Sequence, residues 1–200
     1  IRVQALGGND QVRLEGLTAS TLVDGGSGND KLDGSGVVVA RLELHGGSGN
    51  DDLRGGGAAD YLSGGEGNDN LRGGAGHDWL LGGLGKDVLF GDAGADVLWG
   101  GEGNDVLKGG CGDDWLVRGP GCDNVDGGPG ADRTVGYVAF LAGTVPGLPA
   151  MPDSMAGWAW GDAQRGPESG RQCRIDWDAK CGSWGSTDWW RRKPGFAGWK

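Results

Sequence analysis

Through the middle of the chain a leucine returns every nine residues: Leu53, Leu62, Leu71, Leu80, Leu89, Leu98, Leu107 and Leu116. Each is the centre of a three-residue alternation, and the six residues before it are rich in glycine and end in aspartate, as in GGEGNDNLR and GGEGNDVLK. Short alternation around an apolar centre is strand patterning. Glycine supplies the positive φ that tight turns need, and aspartate tolerates turns while offering a carboxylate. The pattern therefore predicts three-residue strands separated by six-residue turns, each turn reversing the chain. Two units, or 18 residues, then complete one coil, and successive coils stack at about 4.8 Å. The central leucine points inward and its neighbours point outward. A helix is excluded, because a glycine pair every nine residues would break it. The expected class is an all-β parallel solenoid with two repeats per coil, followed by a tryptophan-rich C-terminal segment that packs on it or caps it.

From Gly46 the chain divides into ten consecutive nines ending at Val135. An eleventh unit, GGSGNDKLD, starts at Gly25, and a degenerate one, ALGGNDQVR, starts at Ala5. Gly25 to Gly46 is 21 residues and Asp10 to Asp30 is 20, each one coil plus two or three extra residues. In these coils one edge keeps its acid turn, while the other carries a longer acid-free loop (GLTAST, GSGVVVA). Residues 1–45 are therefore expected to be irregular coils of the same solenoid, 46–135 its regular part, and 136–200 a separate C-terminal region. Four units depart from the pattern: Ala58, Asp92 and Arg118 replace turn glycines, and Thr134 ends the apolar column.

Composition sharpens this division. Glycine accounts for 47 of 200 residues, against an ordinary share of about 7%. Residues 1–136 hold 22 acids and 10 bases, a charge of −12, whereas 137–200 hold 6 acids and 8 bases, a charge of +2, and seven of the ten tryptophans. The acidic sign argues against nucleic acid, which calls for Lys/Arg patches, and points to a cation. No run of 18 apolar residues exists to span a bilayer. The chain opens at Ile1 with no charged or apolar leader, as expected of a fragment or processed form.

Units two apart share an edge of the coil. One edge carries Asp10, Asp30, Asp51, Asp69, Asp87, Asp105 and Asp123; the other carries Asp60, Asp78, Asp96, Asp114 and Asp132. Carboxylates stacked about 5 Å apart repel. A divalent cation between successive turns removes the repulsion, with the remaining ligands supplied by backbone carbonyls that glycine leaves accessible. Several hard oxygens in a flexible cage suit Ca²⁺ better than Mg²⁺, which demands a tight octahedron and keeps its waters. Gaps between same-edge acids set a ceiling of ten sites; about seven to nine filled is the expectation, with Asp10/Asp30 the weakest pair.

The GGxGxDxUx consensus, with U a large apolar residue, runs without a gap over residues 46–135 and recurs at 25–33; it resembles the RTX (hemolysin-type) calcium-binding repeat. That resemblance implies a parallel β-roll in a secreted bacterial protein, export by a type I secretion system through a C-terminal signal, and folding on extracellular Ca²⁺. It also implies that a protease, lipase or epimerase domain could precede such an array. The tail segment CRIDWDAKCGSWGSTDWWRRKPGFAGWK loosely resembles segments that follow RTX arrays.

Outward positions on the second edge's strands are apolar rather than polar: Trp79/Leu81, Val97/Trp99 and Trp115/Val117. A contiguous apolar face of that kind marks an interface. Either it binds polysaccharide, an envelope surface or a protein through Trp79, Trp99 and Trp115, or residues 137–200 fold back and cover it. Cys173 and Cys181 flank a hairpin-length loop and are the expected disulfide. Cys111 and Cys122 fall in turns on opposite edges, beyond the roughly 7 Å limit for bridging. The two histidines, His45 and His77, and the serines form no G-x-S-x-G elbow, and no Walker or EF-hand motif occurs. The chain itself is expected to be non-enzymatic.

Overall fold

The structure is a computed structural model that describes residues 1–136, 147 and 149; all lie in one compact unit, Ile1–Gly170. Fifteen strands follow in chain order: Arg2–Gln4 (β1), Gln11–Glu15 (β2), Thr21–Ser27 (β3), Lys31–Gly36 (β4), Leu42–Ser48 (β5), Asp52–Arg54 (β6), Tyr61–Glu66 (β7) and Asn70–Ala75 (β8). Trp79–Gly85 (β9), Val88–Ala93 (β10), Val97–Gly103 (β11), Val106–Cys111 (β12), Trp115–Val117 (β13), Asn124–Asp126 (β14) and Arg133–Val135 (β15) complete them. The odd-numbered strands make one eight-stranded sheet and the even-numbered strands a seven-stranded one, each in sequence order and every pairing parallel. Among the described residues there is no helix, and hence none long and apolar enough to cross a membrane. The molecule is a parallel β-solenoid of about seven turns.

Register carries the nine-residue period directly into the core. In the odd sheet Leu44, Leu62, Leu80, Leu98 and Leu116 face one another in neighbouring strands. In the even sheet the column is Leu32, Leu53, Leu71, Leu89 and Leu107. These leucines are almost wholly excluded from water, each worth about 1.5–3 kcal/mol of transfer free energy. The column fades at the C-terminal end, where Val125 is half-buried and Thr134 exposed. Residues 1–45 join the same two sheets: Val12 pairs with Leu32 across 20 residues and Val23 with Leu44 across 21. The extra residues form the acid-free loops, and Val37 and Ala40 of the second loop turn inward to join the core.

The predicted apolar stripe is a second cluster on the outer face of the odd sheet, made of Leu81, Val97, Trp99, Trp115, Val117 and Val135, with Tyr61 and Trp79 packed against it. It is not open. Trp99 and Trp115 retain 7% and 9% of their exposure, and Trp79 is half-buried. Gly147 lies over this face: a Cβ there would sit 3.8 Å from Trp115 Cζ2 and 3.3 Å from an Arg133 guanidinium nitrogen. Arg133 itself stacks on the Trp115 ring at 4.8 Å. A platform that stacks sugar rings needs free faces, and two of its three rings are taken. Whether the rest of residues 137–200 folds onto this sheet lies outside the described residues, as does the expected Cys173–Cys181 pair. Cys111 is a free, exposed thiol, so the two turn cysteines are not joined to each other.

Candidate metal centre

Each turn begins where a strand runs out through its glycine pair. The second glycine takes a left-handed φ (112° at Gly47), as does the fourth-position glycine (133° at Gly49). Both conformations would strain any residue with a Cβ. Two non-glycine residues nevertheless occupy the second position, Leu6 (φ 79°) and Asp92 (φ 74°); Asp92 is held by a 2.8 Å ion pair with Arg72. The first glycine is needed for another reason. A Cβ on Gly25 would lie 2.5 Å from Asp30 Oδ2 and 2.7 Å from the Gly46 carbonyl of the next coil; on Gly73 it would lie 2.5 Å from Asp78 Oδ2 and 2.9 Å from the Gly91 carbonyl. The glycine thus leaves open a small space on which a carboxylate oxygen and a carbonyl oxygen converge. The same space recurs beside Gly46, Gly55, Gly64, Gly82, Gly91 and Gly109.

The sixth-position carboxylates use their two oxygens differently. The Asp10 N–H donates to Asp30 Oδ1 (2.8 Å), Asp30 N–H to Asp51 Oδ1 (2.7 Å), and Asp51 N–H to Asp69 Oδ1 (2.8 Å). That chain continues along the first edge to Asp87, Asp105 and Asp123, and along the second edge from Asp60 through Asp78, Asp96 and Asp114 to Asp132. The other oxygen is stranded. Oδ2 of Asp10, Asp30, Asp51, Asp69, Asp78, Asp87, Asp96, Asp105 and Asp114 is buried with no hydrogen-bond donor among the described residues. A buried, unpaired carboxylate oxygen costs several kcal/mol, and nine of them in register cannot be accidental packing.

Electrostatics record the same cost. Burial pushes the Asp78 carboxyl up to about 8, and those of Asp69 and Asp87 to about 7, against the ordinary 3.8; neighbouring carboxylates push the same way, and the backbone N–H of the preceding coil only partly opposes them. Asp96 and Asp105 rise to about 6 for the same reasons, and Asp51, Asp60, Asp114 and Asp123 rise too, chiefly through burial. At neutral pH these groups want either a proton or a cation. Among the described residues no three His, Cys, Asp or Glu side chains gather around one point, so a cation here would be held by one carboxylate per turn together with carbonyls. That donor set is all hard oxygen, which suits Ca²⁺.

Three of the predicted acids stand apart. Asp60 has both oxygens hydrogen-bonded, Oδ1 by Leu42 N–H (2.7 Å) and Oδ2 by Gly56 N–H (2.6 Å). Asp123 and Asp132 lie in the last turn of each edge and are half-buried, with Arg118 drawing the Asp123 carboxyl down against its burial. A second ladder went unread in the sequence. Asn9 Oδ1 accepts from Asn29 N–H, Asn29 from Asn50, Asn50 from Asn68 and Asn68 from Lys86, at 2.7–2.9 Å. His77 Nδ1 accepts from Ala95 N–H (2.8 Å) in the same way on the other edge. The recurring Asn-Asp pair was its signal: position five ties the turns together outside, and position six does so inside.

A stack of short parallel strands whose turns bring together carboxylate and carbonyl oxygens has the form of a cation-binding repeat solenoid. The family model described as RTX calcium-binding nonapeptide repeat (4 copies) matches residues 15–36, 45–80 and 81–116, so the chain carries RTX calcium-binding repeats. No curated protein and no solved structure matches it.

Proposed function

We propose that this chain is a calcium-dependent folding module: Ca²⁺ ions seat between successive turns, and the solenoid forms when they bind. The observation that carries the reading is the set of nine buried Asp Oδ2 atoms without donors, each on the inner side of a glycine-rich turn. Calcium supplies the positive charge that these oxygens lack, and the chain supplies the carboxylates, the glycine carbonyls and the leucine column. The ligand set comprises those nine aspartates with the adjoining carbonyls, and seven to nine ions remains the expected load. Without metal, the thin leucine column must offset both backbone entropy and the stacked charge. Metal binding then becomes folding free energy.

Affinities of extracellular calcium modules, about 10⁻⁴–10⁻³ M, would leave such a chain unfolded in a bacterial cytoplasm and folded outside. This supports a secreted protein exported by type I machinery in the unfolded state. The module itself is read as non-catalytic, because the repeat turns absorb its aspartates and His77 serves as a hydrogen-bond acceptor; any enzymatic partner domain would be a separate part of the protein. The test is a calcium titration of chelated protein followed by circular dichroism. A cooperative coil-to-β transition with calcium and little response to magnesium is expected. Full β structure in excess chelator at neutral pH would overturn the reading.

A further inference from the structure

Asp60 looks like every other repeat aspartate in the sequence, yet its surroundings differ. It is wholly buried, and both of its oxygens already accept backbone hydrogen bonds. Elsewhere Oδ1 accepts the amide of an aspartate one coil earlier. One coil before Asp60 there is no acid turn, and Leu42 N–H takes that place. The loop that precedes Leu42 is pinned to the same turn. Gly57 N–H donates to the Val37 carbonyl (2.8 Å), Val37 N–H closes a turn onto the Gly34 carbonyl (2.8 Å), and Val37 is buried beneath them.

We propose that Asp60 is a backbone hook that fastens the acid-free loop 34–41 onto the solenoid, not a calcium ligand, and that the metal ladder on this edge begins at Asp78. This rests on the calcium reading above. The hydrogen bonding of its second oxygen supports it. Oδ2 is engaged at 2.6 Å by the Gly56 amide, which neutralises part of its charge, whereas Oδ2 of Asp78, Asp96 and Asp114 on the same edge has no donor among the described residues. Beside Gly55 the Asp60 Oδ2 and the Gly73 carbonyl converge as they do in the other turns, but here the carboxylate oxygen is already engaged by a backbone donor.

Anomalous scattering from crystals of the calcium-loaded wild-type protein tests the assignment without altering the fold. Ions are expected beside Asp78 and Asp96 and none within ligand distance of Asp60, roughly 2.3–2.6 Å. An ion on Asp60 overturns the proposal; a crystal with no ion on any repeat aspartate overturns the calcium reading instead. In solution, native mass spectrometry should count the same number of bound calcium ions in Asp60→Asn as in wild type, and about one fewer in Asp78→Asn. Asp60→Asn should instead speed hydrogen exchange at the Leu42 and Gly56 amides. Loss of an ion from Asp60→Asn, with those amides still protected, would contradict the hook.

Discussion

Residues 1–54 and residues 55–117 share two sheets and one leucine column, yet they close their edges by different means. In the N-terminal coils one edge is an acid turn and the other an ordinary loop, filled by Val37 and Ala40 and satisfied by protein donors. In the regular array both edges are acid turns, and from Asp69 to Asp114 each leaves a buried oxygen wanting a positive charge. The contrast separates two ways of finishing the same coil. Side chains can fill a turn and hydrogen bonds can satisfy it, or the turn can be left deliberately incomplete for an ion.

The largest effect that would sharpen this contrast is protonic. The raised carboxyls of Asp69, Asp78, Asp87, Asp96 and Asp105 lie in the regular array. A carboxyl whose pKa is higher in the folded state favours folding fully below its unfolded value, and that contribution disappears as pH rises through the folded one. The calcium-free array should therefore gain structure on acidification from about pH 8 to about pH 5, whereas calcium affinity should fall over the same range because protons and ions compete. Circular dichroism in chelator across that range checks it; a calcium-free array that gains stability with rising pH would break the account.

Next in size, Leu89→Ala, at a wholly buried position, should cost about 2–5 kcal/mol in denaturant unfolding at saturating calcium. Gly73→Ala places a methyl on Asp78 Oδ2 and the Gly91 carbonyl. It should cost roughly 1–3 kcal/mol by overpacking and remove about one ion from the calcium count. The smallest effect belongs to the other region: Val37→Ala should cost about 1.5 kcal/mol with no loss of bound calcium, read by the same unfolding and ion-counting measurements.

The leucine column, the two-repeat coil and the insertion of two or three residues in the first coils were all legible, because each is a spacing and spacing is what a periodic fold writes into sequence. The acids of the two edges were legible for the same reason. Three features were not. The division of labour between Oδ1 and Oδ2 depends on which amide lies one coil away, a fact of register rather than of residue type. The Asn9–Asn29–Asn50–Asn68 ladder hid in a position that also accepts Ala, Lys, His and Cys, because only the backbone donor, not the side chain, is constant there. Asp60 reads as a ligand from its repeat, and its distinct partners come from Leu42 and Gly56. The tryptophan stripe was visible, and its two readings, an open binding face or a covered one, were both written in its apolar residues; the low exposure of Trp99 and Trp115 is a fact of packing that their spacing alone does not carry.

Segment-resolved hydrogen exchange, compared in excess calcium and in excess chelator at neutral pH, tests the central claim most directly. The account predicts that amides of β8 to β13 are protected in calcium and exchange freely in chelator. It also predicts that the Val37 and Leu42 amides, held by protein acceptors, lose less protection. Equal protection of the regular array in both conditions would show that its buried carboxylates are balanced without an ion, and would contradict the claim.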